Sequence, residues 1–229
     1  MADNRADKYS KSTINEEQGA QIDDKPGILE EIINNKDIDN LVDYLKEVKT
    51  GNTEDVLQLT PTFMEQHLGG VDMFLELAVK LEPENPEHHF NRALFFENQK
   101  SYEEAQEEYE NAIQLDNEND HYYSEYGNLL MSLNDLAGAE KQYLEALDIN
   151  PENADTWTSL GILYKDQENS EKAEDALKKA INLEPNSTIP YLNLIRLYRD
   201  DGKIEDAKDI IRQYKSLQLE NLSLNIMHL

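Results

Sequence analysis

The run Asp116-Asn117-Glu118-Asn119-Asp120 spaces its oxygen ligands like the opening of a calcium loop. Such a loop needs a glycine at its sharp turn and a bidentate glutamate at its end, and His121 and Gly127 stand in those places. The run therefore reads as an acidic turn. His88-His89 and His121 offer imidazoles, but no pair stands four residues apart on one helix face with a third ligand, as zinc would require. The chain has no cysteine, which removes thiol catalysis, disulfides and thiolate-held zinc. No glycine-rich phosphate loop or nucleophile elbow occurs, and no spacing singles out an acid/base pair among the 48 Asp and Glu residues. The expectation is a protein that is not an enzyme and has neither cofactor nor metal.

What remains is the chemistry of binding, and charge narrows it. A net charge of -27 is spread unevenly: residues 51–151 hold 22 acidic against 4 basic residues, while 152–229 hold 14 against 10. A phosphate backbone would meet a repulsive field, so nucleic acid is excluded as a partner. Basic proteins or peptides fit the field, although acidity can also serve only to keep an elongated molecule dissolved. No stretch approaches the ~20 apolar residues of a membrane span, and residues 1–25 lack the apolar core of an export signal. A cytoplasmic location is expected.

The elements that would position a binding surface repeat every 34 residues. Frames beginning at Pro86, Asp120, Ala154 and Thr188 align Ala105, Ala139, Ala173 and Ala207 at one position, and Phe96, Leu130, Tyr164 and Tyr198 at another. Ala112, Ala146 and Ala180 share a third. The clearest copy reads Trp157-x2-Leu160-Gly161-x2-Tyr164, then Ala173-x3-Leu177-x2-Ala180 and Pro185. This pattern resembles the tetratricopeptide repeat (TPR) signature. The resemblance covers residues 86–219 and implies an all-α solenoid of stacked antiparallel helical hairpins. Small residues at the shared positions (Ala93, Gly127, Gly161, with Ile195 in the last copy) would let helices approach to about 8–10 Å.

The flanks fit this frame less well. Residues 1–25 are polar and expected to be disordered; residues 26–50 read as a helical hairpin from the stripes Ile28, Leu29, Ile32, Ile33 and Ile38, Leu41, Val42, Leu45, Val48. Residues 52–85 match only in their second half, because Pro61 and Gly69-Gly70 interrupt the first, and read as a degenerate repeat or cap. Repeats occupy 86–119, 120–153, 154–187 and 188–219, followed by an apolar tail over 220–229. From Leu217 onward the chain is apolar enough to fold back as a cap or to join a second copy. Ser101 with Glu104 forms a candidate capping box, and Pro151 and Pro185 follow the second helices.

With the fourth, seventh, eighth and eleventh positions of each first helix packed inward, helical geometry turns the fifth, ninth and twelfth onto a neighbouring face. The TPR resemblance implies that this face is a concave peptide groove, bordered by the second, sixth and thirteenth positions. Its residues here are Phe90, Asn91 and Leu94; Ser124, Asn128 and Met131; Thr158, Ser159, Ile162 and Lys165; and Leu192, Asn193, Arg196 and Arg199. The acids at these positions are Glu87, Glu97, Glu125, Asp155, Asp166 and Asp200, so positive charge is confined to the C-terminal end. The asparagines could bond a guest's backbone whatever its sequence, while Phe90 and Leu94 equally suit packing under residues 26–85. Members of the family that clamp acidic chaperone tails need paired cations and asparagines; the corresponding places read Phe90, Leu94, Glu125, Asp155 and Ser159, or, one repeat later, Ser124, Asn128, Ser159, Ile189 and Asn193. That subclass is excluded. The expected function is a protein-interaction scaffold for a basic or apolar polypeptide segment. Self-assembly through the terminal segments and escort of an apolar client are the alternatives.

Overall fold

The computed structural model describes residues 38–47 and 71–227, with side chains of the last helix described as far as Leu219. All regular elements among these residues are α-helices. They are α1 (Ile38–Glu47), α2 (Val71–Leu81), α3 (Pro86–Asn98), α4 (Tyr102–Leu115), α5 (Asp120–Ser132), α6 (Leu136–Ile149), α7 (Ala154–Asp166), α8 (Ser170–Leu183), α9 (Thr188–Asp200) and α10 (Ile204–Met227). The chain forms two compact units, residues 1–77 and 78–229. In the first, Val42 of α1 and Met73, Leu75 and Leu77 of α2 are buried. The rest of the expected hairpin over 26–50, the tail 1–25, Pro61 and Gly69-Gly70 lie outside the described residues.

The second unit is a solenoid of antiparallel helical hairpins, α3/α4, α5/α6, α7/α8 and α9/α10. Small residues set the separation within each pair. Ala105, Ala139 and Ala173 have no exposed surface, and a Cβ on Gly127 would lie 2.6 Å from the Tyr143 ring. A Cβ on Gly161 would lie 2.7 Å from Leu177 Cγ. The glycine thus makes room for the large side chain on the partner helix sixteen residues later. The first repeat differs at the place of Trp157 and Tyr191, where His89 stands. Its ring bonds Glu108 at 2.7 Å and the Pro83 carbonyl at 3.0 Å, and Arg92 completes the Glu108 carboxylate at 2.8 Å. A buried carboxylate is tolerated because both oxygens are bonded.

Each turn inside a hairpin ends on a left-handed residue at the same place in the repeat: Lys100, Asn134, Glu168 and Gly202, with φ of 63°, 64°, 59° and 74°. The next amide in each case bonds the carbonyl five residues back, as in Ser101 to Phe96 and Asn169 to Tyr164, closing the helix with a Schellman turn. Only the fourth copy uses glycine there, so the backbone accepts a local strain three times for a uniform turn. Asn85, Asn119 and Asn153 cap three of the first helices, and Asp135 and Asn169 cap two of the second helices. The capping box expected at Ser101 and Glu104 is not formed, since the Ser101 side chain makes no cap hydrogen bond. There the Ser101 carbonyl, bonded by the Ala105 amide, starts the helix through the backbone alone.

The C-terminal segment also departs from expectation. Residues 217–227 form no separate element; they continue α10, which is 24 residues long where the other second helices have 14. No glycine or proline interrupts 204–227, so nothing in the sequence stops the helix.

Candidate polypeptide-binding face

First helices of successive repeats approach closely enough to bond one another. Ser124 Oγ on α5 lies 2.7 Å from Thr156 Oγ1 on α7, and Ser159 on α7 donates to Asn128 Oδ1 on α5 at 3.4 Å. The Tyr122 hydroxyl on α5 donates to Glu87 on α3 at 2.7 Å, beneath which the Phe90 and Tyr122 rings are 4.9 Å apart. α3, α5, α7 and α9 therefore present side chains of consecutive repeats on one continuous face.

The residues singled out from the sequence divide by depth on that face. Phe90, Ser124 and Thr158 are buried: Phe90 among Tyr109, His121 and Tyr122, Ser124 against Thr156, and Thr158 with its hydroxyl donated to the Ala154 carbonyl. Leu94, Met131, Ser159, Ile162, Lys165 and Asn193 are half-buried, and Asn91, Asn128, Leu192, Arg196 and Arg199 are exposed. Asn193 turns its amide back to the Ile189 carbonyl at 3.0 Å. Ile189, 58% exposed, extends the apolar surface beside Leu192, 46% exposed.

Asn128 is the best-positioned polar group on the face. Its carbonyl oxygen accepts from the Tyr143 hydroxyl at 2.8 Å and from Ser159, and its amide nitrogen has one contact, with Glu125 at 3.3 Å. Burial pushes the Tyr143 hydroxyl up to about 12, so it stays protonated and keeps donating at neutral pH. Tyr143 belongs to a second helix and was not among the residues singled out. The signal for it was Gly127, whose missing side chain lets the tyrosine cross beneath the first helix and reach Asn128.

Charge is handled differently where second helices meet the next repeat. Glu140 on α6 accepts from Gln167 and meets Lys172, whose ammonium lies over the Tyr164 ring at 4.7 Å. One repeat later Glu174 on α8 binds Lys178 at 2.6 Å, Tyr198 at 2.9 Å and Lys203 at 3.3 Å, with Lys203 over the Tyr198 ring. Burial alone would raise both carboxyls, but the bonds from Gln167, Tyr164 and Lys172 to Glu140, and from Lys178, Tyr198 and Lys203 to Glu174, hold them below the usual range. The cations neutralise Glu140 and Glu174, whereas Glu110 on α4 accepts from Tyr126 of the next repeat at 2.9 Å with no cation beside it among the described residues. No three metal-ligating side chains gather among the described residues, and none of their helices is long and apolar enough to cross a membrane.

With hairpins, nested small residues and the Schellman turns in place, comparison with known proteins is decisive for the architecture. The family model for the middle TPR-like domain of cilia and flagella-associated protein 70 matches residues 75–219, more than half of the chain. The chain belongs to this TPR-like family. No curated protein matches it. Among solved structures, MamA protein superposes on the TPR array with a TM-score of 0.61 at 19% identity, covering 68% of this chain and 85% of that one. PilF of Pseudomonas aeruginosa gives 0.59 at 20% identity, covering 78% and 77%. The first TPR of Spaghetti (RPAP3), solved bound to the HSP90 peptide SRMEEVD, gives 0.50 at 18% identity, covering 52% and 94%. At these identities the likeness is one of fold.

Proposed function

We propose that this TPR array is a non-catalytic interaction module that holds a polypeptide segment across the face of α3, α5, α7 and α9. The carrying observation is Asn128, an exposed carboxamide whose oxygen is fixed by Tyr143 and Ser159 while its nitrogen keeps donor capacity. A pre-oriented amide donor on a face that also carries half-buried Leu94, Met131 and Ile162 suits a guest backbone flanked by apolar side chains. The RPAP3 repeat, solved with a peptide, supports the same use for this architecture. An acidic chaperone tail is not the guest read here, because the chain lacks the paired cations that would hold a dicarboxylate.

The test compares partners captured from cell extract by the purified protein and by a variant carrying Asn128→Ala, Arg196→Glu and Arg199→Glu. These side chains are exposed, so the variant folds, which circular dichroism verifies. Loss of the captured partner is expected. Unaltered capture by the folded variant would place the binding site elsewhere.

Self-association is favoured by one feature, the extended α10 with Leu219 67% exposed. A strictly monomeric mass over a wide concentration range in light scattering removes that reading.

A further inference from the structure

Charge on the first-helix face runs from negative on α3 and α5 to positive on α9, with Asp155, Lys165 and Asp166 on α7 between them, where Lys165 meets Asp166 at 3.9 Å. Glu87 and Glu97 accept from tyrosine hydroxyls, Tyr122 at 2.7 Å and Tyr109 at 2.9 Å. Burial and the adjacent carboxylates push both phenols far above their ordinary range, so each donates a proton without supplying positive charge. Glu125 meets His121 at 3.9 Å and Asn128 at 3.3 Å. Among the described residues no lysine or arginine pairs with any of these three glutamates. At the other end, Arg196 is exposed with no carboxylate partner among the described residues. Arg199 has only the adjacent Asp200 at 3.4 Å. Each of the four helices also carries an apolar side chain on this face: Leu94 on α3, Met131 on α5, Ile162 on α7 and Leu192 on α9.

Building on the proposed use of this face, we infer that its guest is a segment of sorted charge. Its basic side chains lie over α3 and α5, an acidic side chain meets Arg196 on α9, and apolar side chains interspersed among them meet Leu94, Met131, Ile162 and Leu192. Four helices about 8–10 Å apart span roughly 30 Å, the reach of about nine extended residues. Complementary ends fix the register of such a segment, because sliding it along the array brings like charges together. Whichever way the guest chain runs, it is the order of its charges relative to the array that the face selects.

The test uses fluorescence anisotropy with two labelled, end-blocked peptides of identical composition. One carries its lysines toward one end and its glutamates toward the other, with leucines interspersed; in the other the same charges alternate. The sorted peptide is expected to bind at least about tenfold more tightly at low ionic strength, with the advantage shrinking as salt is added. Arg196→Ala together with Glu97→Gln and Glu125→Gln removes the charge at both ends and should abolish that advantage. Equal affinities, binding of neither peptide, or an advantage that survives the charge-neutralised variant would each overturn the inference. Capture from extract decides the broader reading separately: if Asn128→Ala with Arg196→Glu and Arg199→Glu loses its partner while the two peptides bind equally, the face binds but does not select sorted charge.

Discussion

The first-helix face and the second-helix seam are built from the same repeat and carry the same kinds of residue, yet from α6 onward the seam pairs its glutamates with cations where the face does not. In the seam, Glu140 and Glu174 each meet a lysine and a tyrosine from a neighbouring element, so charge becomes part of the joint between repeats. On the face, Glu87 and Glu97 accept from tyrosines, and among the described residues no cation pairs with either and no carboxylate pairs with Arg196. A joint within one chain can satisfy its charges permanently, whereas a surface that retains unneutralised charges keeps electrostatic free energy available for a guest.

Overpacking should produce the largest effect and act on both regions at once. Ala173→Leu places a larger side chain where there is no exposed surface and should destabilise the array by about 1–3 kcal/mol in urea unfolding. A change under ~0.5 kcal/mol would show that the hairpins are less tightly nested than described. Substituting matched glutamates separates the two regions. Glu174→Gln should cost about 0.5–1 kcal/mol at neutral pH, whereas Glu97→Gln should leave stability unchanged or slightly improved by reduced repulsion. Because the folded-state pKa of Glu174 is lowered, its contribution is present above the ordinary carboxylate range and disappears as pH falls through the folded value. Wild type and Glu174→Gln should therefore converge in acid, which a pH series of denaturation curves checks.

Alkaline titration probes the tyrosines shared by both regions. Burial raises Tyr143 and Tyr164 to about 12, the Tyr164 shift being reinforced by Glu140. Unfolded tyrosines ionise near pH 10, so the folded state binds more protons above that value and stability falls as pH rises toward 12. Tyr143→Phe should flatten that decline, and because Asn128 loses its anchor it should also weaken guest binding. The corresponding Tyr164→Phe should flatten the decline without touching binding. The smallest expected effect lies in the turns: Glu168→Gly relieves a left-handed non-glycine residue and should add roughly 0.5–1 kcal/mol of stability, seen as a raised midpoint in urea.

The fold was legible because nesting requires small residues at fixed intervals, and Ala105, Ala139, Ala173, Gly127 and Gly161 mark them whatever lies on the surface. The turns were less legible, since Lys100, Asn134 and Glu168 adopt a conformation that only Gly202 advertises by type. Ser101 misled because the capping motif alone does not decide the bond: the same backbone turn precedes Asp135 and Asn169, whose side chains cap, while the Ser101 hydroxyl does not. Periodicity put Phe90, Ser124 and Thr158 at the same helical position as exposed Leu192, but the first three lie in copies followed by another repeat, whose first helix covers Phe90 and Ser124, and Leu192 lies in the last copy. Tyr143 escaped notice because its chemistry is exercised on a helix other than its own. The pairing of Lys172 and Lys203 with glutamates one repeat away likewise depends on how hairpins stack, which spacing within a repeat does not report.

The most direct measurement places a photo-crosslinking amino acid at Leu192 on α9 or at Leu144 on α6, two leucines of matched exposure, 46% and 47%, on the face and on a second helix. In cells, irradiation should yield a discrete adduct with a partner polypeptide from position 192 and none from position 144. An adduct from position 144 alone would contradict the assignment of binding to the first-helix face.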